Sequence, residues 1–479
     1  MTLQPTWLHR DRATSGPTLD EAFRAARPVL VDDRATLSAD ALETAAAGLA
    51  GSLRTLGVER GSTVAWQSAN RWEIVALYRA CWRLGAIAAP IHHLAGAAEV
   101  DALVTRLAPA AVIDPDDIAS MAEQGDPVHD GVAEPEDLAL VLHTSGSSGE
   151  PKGALHTHAG LAFKAALMIQ VHGLQPDDVV LMPAPLAHIS GLLNSVTIPG
   201  VGGMKAILMA RWDPEHALAL IEEHGVTMMM GPPTFFVGLR DTPGFSSERV
   251  RTVRLISCGG AGVTPAFVAD TTDVFGAVVK RTYGSTEAPT VTTGHTGDDP
   301  VRLRETDGRP TGDAQIRLGP SDEIWVRAPE LFVGYTDPAR TAEAIGVDDD
   351  GNEWFRTGDV GRIDDEGWLT VTGRIKDVII RGGENISAAE VESALEAHPS
   401  VRQAVAVGQP DQRLGEKVCA FVVCVPGGTF DLAACREWFQ ERGLAKFKTP
   451  ERVVVLPEMP VLAAGKIDRT TLRKHAAQP

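Results

Sequence analysis

The 479-residue chain holds only five cysteines, Cys81, Cys258, Cys419, Cys424 and Cys435, and none falls in a Cys-x-x-Cys pair. That scarcity argues against a disulfide framework or a structural zinc site and suits a reducing, cytoplasmic setting. No apolar run reaches the ~18 residues that a membrane span needs, and the N-terminal stretch MTLQPTWLHRDR has no apolar signal core. Basic residues are in deficit: 44 Lys and Arg stand against 63 Asp and Glu, a formal net charge of −19. So acidic a chain argues against nucleic acid and anionic membranes as partners. Any anion site must therefore be locally basic, or built from backbone N–H groups. Internal repeats and low-complexity linkers are missing too, so the domains must be joined by a short hinge.

What is present is ordinary for a globular protein, with 44% hydrophobic and 22% charged residues. The length is too great for one compact core and predicts roughly two or three domains. Thr18-Leu-Asp-Glu21 reads as a capping box, and Ser38 as the cap of a helix with Leu42, Ala46, Leu49 and Leu53 on one face. A short strand follows at Thr63–Trp66. From about 138 to 290, apolar runs at 179–182, 205–209, 226–230, 253–257 and 277–282 alternate with helices. Asp213-Pro214 and Thr264-Pro265 mark two of the helix starts. That alternation predicts βαβ units and mostly parallel sheet. Residues 300–372 read as a smaller β subdomain, with strands at 323–327 and 368–372. A further α+β module starts near residue 377, with a capping box at Ser387-Ala-Ala-Glu390 and strands at 403–407 and 418–423. The expected division is 1–373, a hinge at 374–376, and a mobile module over 377–479.

The clearest chemical signal is Leu142-His-Thr-Ser-Gly-Ser-Ser-Gly-Glu-Pro-Lys152-Gly153, directly after an apolar strand at 138–142. Glycines and small hydroxyl residues let successive N–H groups turn inward around phosphate oxygens. Thr144, Ser145, Ser147 and Ser148 add hydroxyls, Gly146 and Gly149 the turns, and Lys152 a charge. The lysine stands three residues after the second glycine, so this is not the Gly-x4-Gly-Lys-Ser/Thr loop.

This segment resembles the signature loop of the adenylate-forming superfamily: acyl-CoA synthetases, peptide-synthetase adenylation domains and firefly-type luciferases. Four more segments resemble that family's motifs in order. They are Tyr283-Gly-Ser-Thr-Glu287, Trp354-Phe-Arg-Thr-Gly-Asp359, Gly373 to Ile386 with Arg381-Gly382-Gly383 inside it, and Gly465-Lys-Ile-Asp-Arg469. The likeness runs from about residue 20 to the end, and is greatest to acyl-CoA synthetases.

The resemblance implies a two-step reaction. A carboxylate attacks the α-phosphorus of ATP, pyrophosphate leaves, and a thiol then takes the acyl group from the adenylate. The implied acceptor is CoA; a carrier protein's phosphopantetheine, or a non-thiol nucleophile, is the alternative. Glu287 would hold Mg2+, with Thr286 near the α-phosphate. Asp359 would accept from both ribose hydroxyls, with Arg374 beside it. Gly259, Gly260 and Ala261 would lie against adenine, and Tyr283 and Gly284 beside the base; a core aromatic is the plain alternative for Tyr283. Lys466 is the implied catalytic lysine, reaching carboxylate and α-phosphate from the mobile module. Rotation about Lys376 would withdraw it and bring in Gly382 and Gly383 to pass the thiol arm.

Pro185-Leu-Ala-His188-Ile-Ser-Gly191 resembles the segment lining the acyl pocket, which would use His188, Leu192, Phe235 and Gly260. His188 is positional rather than a base, because a carboxylate is already ionised. A purely structural histidine is the alternative. No acid follows Phe235-Phe236-Val237-Gly238 before Asp241, which favours an acid without an α-amine. Two departures stand out. His143 occupies a place that is usually aromatic, and residues 100–137 are short for the family, which would remove a surface element or part of a homodimer contact.

Overall fold

The computed structural model describes residues 2–144, 152–260, 262–382, 384–461 and 467–478. Several helices begin where the sequence offers caps. Both arms of the capping box at Thr18 and Glu21 form ahead of Leu19–Ala26. Ser38, Asp213 and Thr264 cap the helices Ala39–Thr55, Pro214–His224 and Pro265–Phe275. At Ser387 only one arm forms: Ser387 accepts from Glu390 N, while the Glu390 carboxylate goes to Lys448 Nζ at 2.5 Å. An ammonium outcompetes a neutral N–H for a carboxylate.

Among the described residues the strands form four sheets. In the first, Ala111–Ile113, Thr63–Ser68, Ile87–His92 and Leu138–Thr144 run parallel. Lys152–Thr157 then turns back antiparallel on Leu138–Thr144, so the strand begins at the last two residues of the Gly/Ser segment. The second sheet has nine strands. Its middle, from Val278–Tyr283 through Leu255–Gly259, Met228–Gly231, Val179–Leu181 and Lys205–Ile207 to Val29–Val31, is parallel. Its outer strands are antiparallel.

The core beneath the first sheet is rich in aromatics. Tyr78 has its ring 4.9 Å from that of Trp66 and 5.4 Å from that of Trp82, and all three are buried. Burying each large side chain is worth about 1.5–3 kcal/mol. The third sheet, from Gln315–Leu318 to Leu369–Arg374, is antiparallel and forms the β subdomain. The fourth is built on the long hairpin Val401–Asp411 and Gly415–Cys424, with the helix Ala388–Glu396 packed on it.

A 3-10 turn, Ile375–Asp377, lies between the last two sheets. Asp377 pairs with Arg473 of the C-terminal helix, the Ser387 hydroxyl donates to Thr372 O, and Arg402 reaches Asp241 at 3.4 Å. Among the described residues no helix is long and apolar enough to cross a membrane.

Burial sets opposite pH responses in the two parts. His9, His143, His156 and His158 are each pushed down to about 4, chiefly by desolvation, from an ordinary 6.5. Below 6.5 the unfolded chain binds protons that the folded one refuses. Their contribution is therefore complete above 6.5 and is lost as pH falls toward 4. Glu396 is pushed up to about 7 by burial, so its contribution is complete below 4.5 and is lost as pH rises through 7. Scanning calorimetry is expected to show the N-terminal transition falling, and the C-terminal transition rising, between pH 7.5 and 5.5. Transitions that move together would contradict this assignment.

Candidate active site

Parallel strands deliver their carboxyl ends to one edge, where ligands of α/β sheets bind. Gly259 ends one such strand, opposite Thr282 of the next. Gly260 follows it with φ +77°, and Tyr283 ends the neighbouring strand. The chain then folds tightly, with Ser285 N donating to Ala288 O at 2.9 Å. Gly284 has no room for a side chain, because a Cβ there would lie 2.3 Å from Thr290 N.

Two residues from other strands meet at Asp359. The Tyr283 hydroxyl donates to Oδ2 at 2.9 Å, and Arg374 Nε reaches Oδ1 at 2.8 Å. Asp359 and Arg374 face each other across an antiparallel strand pair. Asp359 is buried, and desolvation raises its carboxyl against the pull of Arg374 and Tyr283. Burial, then the Asp359 charge, raises the Tyr283 hydroxyl, which therefore stays a donor.

A second group gathers around Glu287. Its Oε1 accepts from the Tyr335 hydroxyl at 2.6 Å, and its backbone carbonyl accepts from Phe332 N at 2.9 Å. Lys152 Nζ stands over the Tyr335 ring, 5.0 Å from the centroid. Beneath Thr286 lies His156, whose Nε2 donates to the Thr286 carbonyl at 2.9 Å. Burial keeps this imidazole neutral, pushed down to about 4.

His188 caps the short helix Ile189–Leu192, its Nδ1 2.8 Å from Ser190 Oγ and accepting from Ser190 N at 3.3 Å. The loop before it is fixed by Asn70, which bonds Ala184 O at 2.9 Å and Leu186 N at 2.8 Å. Leu192 and Phe235, expected to line an acyl pocket, are both buried in separate core clusters. Phe235 stacks on Trp212 with centroids 4.5 Å apart. Lys376 is exposed in the 3-10 turn. Gly382 turns between two short strands with φ +59°, its N–H donating to Leu414 O at 2.7 Å. Ser145, Gly146, Ser147, Ser148, Gly149, Ala261, Gly383 and Lys466 lie outside the described residues, and of Thr144 only the backbone, paired with Lys152, is described.

The site thus draws together Lys152, Tyr283, Gly284, Thr286, Glu287, Asp359 and Arg374. Tyr335 and His156 were not foreseen. Each connects residues more than a hundred positions apart or in separate sheets, and a lone Gly-Tyr or Leu-His pair carries no periodic signal. The same holds for Asp307, buried and paired with Arg281 at 2.9 and 3.0 Å, which also accepts from Val371 N at 2.8 Å. It ties the Tyr283 strand to the subdomain carrying Asp359.

A fold of this architecture with these groups at its sheet edge defines a nucleotide-binding, adenylate-forming enzyme. The chain belongs to the AMP-binding enzymes, matching the family over residues 20–336 and its C-terminal domain over 390–466. It is 31% identical to the medium-chain fatty-acid–CoA ligase of Escherichia coli K12, over 92% of this chain and 86% of the relative. It is also 31% identical to the indoleacetate–CoA ligase of Aromatoleum aromaticum, over 90% of this chain and 91% of that one. Among solved structures it resembles ATP-bound MatB from Rhodopseudomonas palustris, with TM-score 0.88, 27% identity, and 96% and 99% of the chains covered. Against apo MatB the TM-score is 0.78. The chain is a ligase of the acyl-CoA-synthetase type that works through an acyl-adenylate.

Proposed function

We propose that the chain joins a carboxylic acid lacking an α-amine to CoA, with ATP leaving as AMP and pyrophosphate. The observation that carries the reading is the set Tyr283–Asp359–Arg374. A buried, acceptor-only carboxylate held between a phenol and a guanidinium suits a ribose diol. Tyr283 would lie beside the base, and the Gly/Ser loop with Lys152 around the β- and γ-phosphates. The better superposition on the ATP-bound relative than on its apo form supports an arrangement suited to the first half-reaction.

Mg2+ commonly takes one or two protein carboxylates, completing its shell with phosphates and waters. Glu287, oriented by a hydroxyl, fits that role. Bound there, the ion would offset the charge of the phosphates.

In the first step a carboxylate oxygen bonds to the α-phosphorus, and the bond from that phosphorus to pyrophosphate breaks. Lys466 would stabilise the charge on the α-phosphate. No base is needed, and the bonds of His188 to Ser190 are consistent with an orienting part at the acyl end. In the second step the thiol sulfur bonds to the acyl carbon and AMP departs. The thiol proton passes to solvent.

The test is a screen of medium-chain, branched, alicyclic and aromatic acids for pyrophosphate release, with and without CoA. The expected result is a stoichiometric burst without CoA and steady AMP production with it. Turnover only with a phosphopantetheinylated carrier would replace CoA as acceptor. Turnover only with amino acids would overturn the substrate class.

A further inference from the structure

Residues 331–336 leave the β subdomain and lie along the strand Lys152–Thr157. Val333 N donates to Leu155 O at 2.8 Å, Leu155 N to Gly334 O at 2.9 Å, and Thr336 N to Gly153 O at 2.8 Å. Tyr335 faces Ala154 in an antiparallel bridge and is buried. From this anchored backbone one side chain serves two functional groups. Its hydroxyl holds the Glu287 carboxylate, and its ring face carries the Lys152 ammonium.

The anchoring extends to the N-terminus. Thr6 Oγ1 donates to Tyr335 O at 2.8 Å, and Thr6 N and Trp7 N donate to Val333 O at 2.9 and 3.0 Å. Phe332 packs edge-on to the Tyr335 ring with centroids 4.9 Å apart. The phenol is thus fixed on its backbone side, with its hydroxyl bonded to Glu287.

A carboxylate and an ammonium that must meet the same triphosphate also attract each other. Paired together, neither would be available. A neutral residue bonded to both keeps them near each other and separately aimed. A cation over a ring is held less firmly than one on a phosphate oxygen, so an arriving nucleotide can take the lysine while the carboxylate stays fixed. Hydrogen-bond partners behind a metal-ligating carboxylate commonly set its affinity.

We propose that Tyr335 is a positioning residue for the phosphate end of the site, holding Glu287 for the metal of Mg-ATP and seating Lys152 until the triphosphate arrives. The inference rests on the roles given above to Glu287 and Lys152.

The test is calorimetric titration of ATP into the full-length protein at a series of Mg2+ concentrations, for wild type, Tyr335→Phe and Glu287→Gln. Phenylalanine keeps the ring, the bridge to Ala154 and the seat for Lys152. Tyr335→Phe is expected to bind ATP without Mg2+ within twofold of wild type. It is expected to need about tenfold more Mg2+ for half of the metal-dependent gain. Glu287→Gln is expected to lose that gain altogether. If Glu287→Gln keeps the wild-type Mg2+ response, the role given to Glu287 is wrong and the inference falls with it. If Glu287→Gln loses the response while Tyr335→Phe matches wild type, the positioning role alone is overturned.

Discussion

Lys466→Ala is expected to slow acyl-adenylate formation by about 10²–10³-fold while ATP affinity stays within about threefold of wild type. The charge that grows at the α-phosphorus exists only while the carboxylate is attacking, so a cation placed there acts on the transition state more than on bound ATP. Lys466 itself lies outside the described residues, but its frame does not. Val461 and Ile467 bridge across the base of the segment that carries it, and Asp468 N donates to Pro460 O at 2.8 Å. Asp468 then caps the helix Arg469–Ala476, and Arg469 grips the Glu392 carboxylate with contacts of 2.6 and 2.7 Å.

Arg473 of the same helix pairs with Asp377 beside the proposed hinge. A rapid-quench assay of pyrophosphate formation measures the first step. Supplying preformed acyl-AMP with CoA measures the second, which the variant is expected to carry out at near wild-type rate. Wild-type pyrophosphate formation by the variant would remove Lys466 from the mechanism.

Asp359→Ala has the second-largest expected effect. The carboxylate would give up two nucleotide hydroxyls, each charge-assisted bond being worth about 1.5–3 kcal/mol, and would release Tyr283 and Arg374 from a common partner. ATP affinity is expected to fall by about 100-fold or more, with a smaller loss in kcat at saturating ATP. The diagnostic measurement is discrimination. Wild type should prefer ATP over 2′-deoxy- and 3′-deoxy-ATP, and the variant should bind all three alike. Retained preference in the variant would place ribose recognition elsewhere. Because burial raises the Asp359 carboxyl, ATP affinity should weaken on acidification before an ordinary aspartate would titrate. A protonated carboxyl accepts fewer hydroxyls.

Much of the scaffold was legible locally. Cap residues marked helix starts at Thr18, Ser38, Asp213 and Thr264, and apolar runs marked the parallel strands of the large sheet. Both signals act within a few residues, so a linear reading can find them. The run at 253–257 illustrates the limit: the strand is Leu255–Gly259, two residues further on, because pairing with Val278–Tyr283 sets its ends. The motif residues Tyr283, Glu287 and Asp359 were legible as chemistry, but their supports were not. Tyr335, His156 and Asp307 act across sheets, and only the three-dimensional pairing of strands makes them neighbours. An apolar residue such as Leu192 or Phe235 reads the same in a string whether it faces substrate or core.

The central claim is that a carboxylate oxygen attacks the α-phosphorus of ATP. Turnover with a substrate acid labelled with oxygen-18 in its carboxylate, read by mass spectrometry of the products, tests it most directly. The account predicts one labelled oxygen in AMP and none in pyrophosphate. Unlabelled AMP, or label carried off in orthophosphate beside ADP, would contradict it.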